Sequence, residues 1–303
     1  SPYVKQPTQS LVSIAKEMGY DTSFFHSAPN GSMGFLGFSN ILGIDHYYGK
    51  TEYNNEADYD GIWGIWDEPF FQYMNEILSK KKEPFFSTIF TVSSHHPFHI
   101  PKKYEGKFDK GTLEIHQCIG YTDYAIKQFF ACAKKQPWFE NTIFVFVNDH
   151  PNQTYYEHYK QAITNMGAAI MFYSPNPDLV PTKRYSEISQ QIDIYPSLVD
   201  LMGYQKPFRS WGRSVFASSA DETPRAFISN ALMYQMKQGN YIYILDENGQ
   251  VNGIYNKEDE ALKHNLWSKE DNAEIQKGIK DLQAFVQDYM DRIINHKLAP
   301  SKN

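Results

Sequence analysis

Two segments of this chain carry apolar residues without alternation and then break into side chains suited to binding metals or protons. The first is Thr142-Ile-Phe-Val-Phe-Val147, followed by Asn148, Asp149 and His150. The second runs apolar from Phe85 to Val92 and continues Ser93-Ser94-His95-His96-Pro97-Phe98. Strands buried on both faces of a parallel sheet read this way, whereas half-solvated strands alternate. Pro97 ends the second element. Ligands of open α/β sheets bind beyond the carboxyl ends of the strands. Two such strands delivering Asp or His at that end therefore suggest one convergent site. Neighbouring residues of an extended chain point to opposite sides, so only one of His95 and His96 is expected to reach it.

The remaining pattern fills in an alternation of helices and strands. Leu11, Ile14, Ala15 and Met18 predict a helix leading into a strand over Asp21–His26, followed by the turn-rich Ser27–Gly34. Helices are expected over residues 69–80 and 112–135, the second with Ile115, Ile119, Thr122, Ile126, Phe129 and Ala133 at helical spacing. Gly167–Tyr173 reads as a further buried strand. Asp193 precedes Ile194 and Pro196 as the start of another helix. Alternation of this kind predicts a mostly parallel sheet with right-handed crossovers and helices on both faces.

After about residue 222 the pattern changes. Arg225–Asn230, Tyr241–Leu245 and Val251–Tyr255 read as antiparallel strands, with a type I′ turn expected at Asp246-Glu-Asn-Gly-Gln250. An amphipathic helix carrying Leu282, Phe285, Val286, Tyr289, Met290, Ile293 and Ile294 on one face closes the chain. The expected organisation is a core over 1–221 and a smaller antiparallel subdomain with its helix over 222–303.

Composition narrows the function classes. A net charge of −6 argues against a nucleic-acid partner, and Lys80-Lys81-Lys82 reads as a solvated helix end. No apolar run approaches the roughly 18 residues needed to span a bilayer. Cys118 and Cys132 fall within one expected helix, about 21 Å apart along its axis, beyond disulfide reach.

A series of short motifs lies along the first two-thirds of the chain. In order they are Gly19-Tyr20, Phe24-Phe25-His26, Trp63-Gly-Ile-Trp-Asp67-Glu-Pro-Phe70 and Ser93-Ser-His95-His-Pro-Phe98. They continue with Tyr121-Thr-Asp123, Asn141-Thr142 with Asp149-His150, and Gln191-Ile-Asp193-Ile-Tyr-Pro196-Ser197. In this order and spacing they resemble the extracytoplasmic domain of the lipoteichoic acid synthase and phosphoglycerol transferase group, within the sulfatase and alkaline phosphatase superfamily. The resemblance implies an α/β fold of the alkaline phosphatase/sulfatase type, with the small antiparallel sheet and closing helix at its carboxyl end.

The resemblance also implies chemistry: transfer or hydrolysis of a phosphoglycerol, phosphate or sulfate ester through a threonine intermediate, assisted by a divalent cation. Asp149 and His150 match the family's two late metal ligands. His95 matches the histidine that contacts the phosphate of the bound group. One metal is favoured over two, since no His stands near Thr164–Gly167. Mn²⁺ is expected first, with Mg²⁺, Zn²⁺ and Ca²⁺ as alternatives. Implied substrates are a phospholipid head group or a polyanionic glycan ester, at the extracytoplasmic face of a membrane to which upstream helices anchor the intact protein.

Departures from the family are informative. The family's acidic strand and threonine nucleophile precede the Gly-Tyr motif by several tens of residues, and only eighteen residues do so here. Thr8 and Ser10 read as helix N-caps, so this chain is expected to lack the nucleophile, to hold metal poorly and to be inactive alone. The loop Ser27–Phe35 lacks the Trp and Arg that hold glycerol phosphate in several relatives. Asn30 and Ser32 are candidate substrate contacts there, and Trp66 is a third. Aromatic packing around Gly64 and a helix start at Asp67 account equally well for the Trp63–Phe70 segment. The alternative function is a binding or regulatory domain that kept the fold without the reaction.

Overall fold

The computed structural model describes residues 6–217, 223–229, 232–268 and 272–300. The chain divides into two compact units, one of Ser10–Thr142 and one joining the residues up to Gln9 to those from Ile143 onward.

In the Ser10–Thr142 unit, α1 (Leu11–Glu17) starts at a reciprocal cap. The Ser13 N–H donates to Ser10 Oγ at 3.2 Å and the Ser10 N–H donates to Ser13 Oγ at 2.8 Å. Ser10 is the N-cap, and Thr8 turns back to donate to the Gln6 carbonyl. Strand β1 (Asp21–His26) then lies between β2 (His46–Tyr48) and β3 (Phe85–Phe90), parallel to both. As the central strand, β1 is buried on both faces: Ser23 and Phe25 on one, Thr22 and His26 on the other. Phe25 packs edge-on against Phe70 of α4 (Asp67–Leu78). His26 and Phe24 meet Phe35, the first residue of α2 (Phe35–Leu42). Helices therefore cover both faces of this sheet. Between them, α3 (Lys50–Tyr53) is a single turn after β2. Helix α4 packs along α5 (Ile115–Ala133), where Asn75 Nδ2 donates to the Phe129 carbonyl at 3.1 Å. Strand β3 ends two residues before the expected Val92. The Val92 and Ser93 N–H groups leave the strand direction and donate to the Asp67 carboxylate.

In the other unit, β4 (Phe144–Val147) pairs with β5 (Ile170–Tyr173) in antiparallel register, Val145 opposite Phe172. This corrects the expectation of a doubly buried parallel strand, since Val147 is 48% exposed and Met171 53%. A continuous apolar run states that both faces lack polar groups, and it says nothing of the direction of the neighbouring strand. The expected strand over Gly167–Tyr173 is likewise shorter, and its burial alternates. Helix α6 (Ile194–Leu201) starts just after Asp193, as its sequence suggests.

Strands β6 (Arg225–Ser229), β7 (Met233–Gln238), β8 (Tyr241–Asp246) and β9 (Val251–Asn256) form an antiparallel meander in sequential order. Helix α7 (Ala273–Ile294) closes on it, burying Ile275, Ile279 and Leu282 against Met236, Tyr243, Leu245 and Ile254. Gly278 allows that approach, because a Cβ there would lie 2.1 Å from the Tyr243 ring. The β8–β9 turn is not type I′. Of its residues only Gly249 has positive φ, at 76°. The Asp246 carbonyl accepts the Gly249 N–H at 3.0 Å, and Asp246 Oδ1 accepts from Asn248 and Gln250. An aspartate cap and a left-handed glycine thus make a type I turn with a longer loop. The expected strand end at Asn230 lies outside the described residues. Among the described residues no helix is long and apolar enough to cross a membrane.

Candidate functional site

Within the Ser10–Thr142 unit, the exit from β3 is held by one buried carboxylate. Asp67, 2% exposed, opens α4. Its Oδ1 accepts the Val92 and Ser93 N–H groups at 3.1 and 3.2 Å, its Oδ2 accepts the Thr122 hydroxyl at 2.8 Å, and its own N–H donates to Ser93 Oγ at 2.9 Å. Burial pushes the Asp67 pKa up, and those donors pull against it. The loop so anchored turns tightly, with the His95 N–H donating to Val92 O at 3.1 Å and the Phe98 N–H to His95 O at 3.0 Å.

His95 emerges from this turn exposed to solvent. Its Nδ1 lies 3.1 Å from the His96 carbonyl. With Nδ1 donating to that carbonyl, Nε2 is the nitrogen presented outward. The indole of Trp63 packs against the imidazole with centroids 3.9 Å apart, and its Nε1 donates to the same carbonyl at 2.6 Å. Trp66 instead meets Tyr121 edge-on at 6.0 Å. The indole beside His95 is therefore Trp63, while Trp66, the candidate substrate contact, packs against Tyr121. Trp63 is placed by Asp60, whose Oδ1 gathers the N–H groups of Ile62, Trp63 and Gly64 at 2.8, 2.8 and 3.0 Å. Gly64 lets this loop press onto the end of β1, since a Cβ would sit 2.7 Å from the Ser27 carbonyl.

At the carboxyl end of β1, His26 is buried between Phe35 and Phe90, with ring centroids 4.8 and 5.4 Å away. Burial lowers its pKa, partly opposed by the Phe90 backbone. Neither ring nitrogen completes a well-formed hydrogen bond. The following loop holds the other two candidates. Asn30 is committed: its Nδ2 donates to both Glu52 carboxylate oxygens at 2.9 and 3.0 Å, and its Oδ1 accepts the Thr51 N–H at 3.4 Å. It ties the loop to α3. Ser32 lies two residues on, in a short helical turn whose next residue, Met33, has φ 53° and is 71% exposed.

In the second unit, Asp149 and His150 follow β4 directly, each 57% exposed at the side chain. His150 Nδ1 lies 2.7 Å from the Pro151 carbonyl. A proton on Nδ1 leaves Nε2 as the lone-pair nitrogen, and Nε2 is 3.3 Å from Asp149 Oδ2. Asp149 Oδ1 accepts the His150 N–H at 2.8 Å. Gln191, just before α6, donates its amide to the Asn148 and Asp149 carbonyls and so fixes the course of this segment. The chemical result is one hard oxygen and one imidazole nitrogen facing each other on adjacent residues, the donor types that Mn²⁺ or Zn²⁺ accept. Among the described residues no three His, Cys, Asp or Glu side chains gather to hold a metal. The pair fits a cation as part of a ligand set, not as a whole one.

Sequence reasoning did not find the clamp at Asp67, read only as a helix start, nor the anchoring by Gln191. Ser93, just past the end of β3, and Thr122, within α5, were the available signals for the first. Asn148 and Gln191 offered none for the second, since a glutamine bonding to carbonyls leaves no pattern.

Comparison with known proteins places these features. The family model described as Sulfatase matches residues 2–204. The chain is similar to the lipoteichoic acid synthase-like protein YvgJ of Bacillus subtilis, 24% identical over 239 residues, covering 71% of this chain and 38% of that protein. It is similar to phosphoglycerol transferase I of Citrobacter koseri, 27% identical over 219 residues, covering 67% of this chain and 28% of that protein. The chain thus spans well under half the length of these relatives. Among solved structures, a protein of the alkaline phosphatase superfamily from Vibrio parahaemolyticus superposes with a TM-score of 0.79 at 22% identity, over 97% of this chain and 72% of that one. The lipoteichoic acid synthase LtaP of Listeria monocytogenes does so with a TM-score of 0.75 at 18% identity, over 100% of this chain and 76% of that one. These likenesses give the fold as alkaline phosphatase/sulfatase-like.

Proposed function

The chain belongs to the sulfatase family, and we propose on that footing that it forms part of the catalytic domain of a metal-dependent enzyme. The reaction is transfer or hydrolysis of a phosphoglycerol, phosphate or sulfate ester, with a phospholipid head group or a polyanionic glycan ester as substrate. The intact protein works at the extracytoplasmic face of a membrane, anchored by helices outside this chain. The observation that carries the reading is the Asp149–His150 pair, with His150 Nε2 turned to Asp149 Oδ2 at 3.3 Å.

A bound divalent cation, Mn²⁺ first, supplies charge neutralisation at the transferred group and favours the alkoxide of a hydroxyl nucleophile. Asp149 Oδ2 and His150 Nε2 would hold it, with the remaining ligands and the threonine contributed by residues outside this chain. With Nδ1–H held by the His96 carbonyl, His95 acts as the imidazolium, whose outward Nε2–H donates to a phosphoryl or sulfuryl oxygen and stabilises negative charge as it grows in the transition state. Trp63 keeps that imidazole oriented, and Asp67 holds the loop beneath it. The loop around Asn30 and Ser32 recognises the rest of the substrate through groups other than the Trp and Arg of glycerol-phosphate-binding relatives.

The second reading is a binding or regulatory domain that kept the fold without the reaction. Turnover separates the two. This chain alone is expected to leave p-nitrophenyl phosphate, p-nitrophenyl sulfate and phosphatidylglycerol at the protein-free rate, because losing a nucleophile removes most of the acceleration. A longer form that adds the upstream residues is expected to recover Mn²⁺-dependent turnover. A longer form that binds one of these esters without turning it over establishes the second reading instead.

A further inference from the structure

The unit from Ile143 onward holds a cavity of 290 Å³ bounded by the turn before α6, the Ser210–Arg213 loop, β6 and α7. Arg213, Arg225 and Arg292 line it, as do Asp193, Asp281 and Asp288. Counted as charges the lining is neutral. Counted as hydrogen bonds it is not.

The carboxylates are already engaged. Asp193 accepts the Gln190 and Arg213 backbone N–H groups, each at 2.9 Å. Asp281 Oδ2 accepts Gln238 Nε2 and Lys277 Nζ, each at 2.7 Å. Asp288 Oδ2 accepts the Trp211 indole N–H at 2.9 Å. The guanidiniums are left over. Arg213 Nη2 donates to Glu187 Oε2 at 3.2 Å and to Ile188 O at 3.1 Å, while its Nε is buried without an acceptor. Arg292 Nε lies 2.8 Å from Asp288 Oδ2, but its N–H does not aim at that oxygen, and it too is buried without an acceptor. Arg225 makes no ion pair among the described residues, and its guanidinium stands 5.5 Å over the Phe227 ring.

A guanidinium has donors only, so the missing partner must be an acceptor. Buried donors left without one beside a cavity indicate an acceptor that fills it. The arginines are also held in place: Arg292 lies 5.2 Å over the Trp211 ring. Gly212 keeps the loop tight, since a Cβ there would meet Ile192 O at 2.2 Å. At about 30 Å³ per water, the volume admits a small oxyanion with several waters. The planar fork of arginine matches the spacing of phosphate and sulfate oxygens. We propose that this cavity is a binding site for a tetrahedral oxyanion, phosphate or sulfate, held by Arg213, Arg225 and Arg292.

The test is calorimetric titration of this chain with inorganic phosphate and, separately, with sulfate, at ionic strength matched with chloride, alongside thermal melts. Saturable binding and a raised melting temperature are expected with at least one of the two, and the two arms identify which. Arg225→Gln, which breaks no ion pair, is expected to weaken binding at least tenfold while the fold is retained. Arg225→Lys should fall between, keeping the charge and losing the fork. Arg184→Gln, at an exposed arginine of the same unit, should bind as the parent does. No saturable binding of either anion, or binding unchanged in Arg225→Gln, overturns the proposal. Neither outcome depends on the activity assigned to Asp149 and His150.

Discussion

Replacing His26 with Phe should make this protein more stable, and increasingly so as the pH falls. The imidazole is 1% exposed, sits between Phe35 and Phe90, and leaves both nitrogens without a well-formed hydrogen bond. A buried polar group in that state costs about 1–3 kcal/mol. A phenyl ring removes the cost and keeps the edge-on contacts, at a small penalty for its extra volume. The expected gain is about 1–2 kcal/mol at pH 7.5. A second contribution comes from protonation. Burial lowers the His26 pKa below its ordinary 6.5, so between those two values the unfolded chain binds a proton that the folded chain does not. Stability is then complete above about pH 6.5 and is lost as the pH falls below it, by up to 1.4 kcal/mol per unit. At pH 5.5 the parent is therefore expected to have lost more stability than His26→Phe. Urea unfolding followed by circular dichroism at pH 7.5 and 5.5 measures both parts. A variant destabilised at pH 7.5, or a difference from the parent that does not widen at pH 5.5, refutes the reasoning.

Other substitutions probe the remaining supports. Asp67→Ala strips the acceptor from Val92, Ser93 and Thr122 and should cost about 3–5 kcal/mol, since it leaves several buried donors unpaired, read from the urea midpoint. Asp45 works in the opposite sense to His26. Burial raises its pKa, but Lys16 and Thr22 outweigh that and hold it at about 2. The stability it contributes is present above its ordinary value near 3.8 and is lost as the pH falls towards 2. With its side chain 35% exposed, screening reduces the contribution to about 1 kcal/mol. The difference between parent and Asp45→Asn should therefore shrink to nothing in acid unfolding curves below pH 2. Gly278→Ala places a methyl group into the Tyr243 ring and should cost about 1–3 kcal/mol in thermal melts.

What could be read from the sequence depended on how local the determining physics was. The cap at Ser10, the apolar stripe of α5 and the closing of α7 over β8 and β9 follow from short-range periodicity and side-chain bonding within a few residues; β7 (Met233–Gln238) was not read. The central parallel strand Asp21–His26 was also readable, because its neighbours both arrive through crossovers. The direction of β4 was not, since an all-apolar strand looks the same whichever way its partner runs. The turn at Asp246–Gln250 went wrong for a related reason. Asn-Gly signals positive φ, but the Asp246 side chain captured the N–H groups and left only Gly249 left-handed. Around the candidate site, Asp149, His150 and His95 stood out by chemical type at strand ends. The packing of Trp63 on His95 did not, because loop spacing carries no periodicity and Asp60 places that indole.

The most direct test of the account is a pair of substitutions in a longer form of the protein that includes the upstream residues. Mn²⁺ affinity by calorimetry and turnover of phosphatidylglycerol are measured side by side. Asp149→Ala should abolish both, because it removes the oxygen that faces His150 Nε2. His95→Ala should leave Mn²⁺ affinity intact and lower turnover by roughly a hundredfold or more, as for loss of one transition-state donor. If Asp149→Ala leaves metal binding and turnover unchanged, Asp149 and His150 are not the metal pair and the proposed function is wrong.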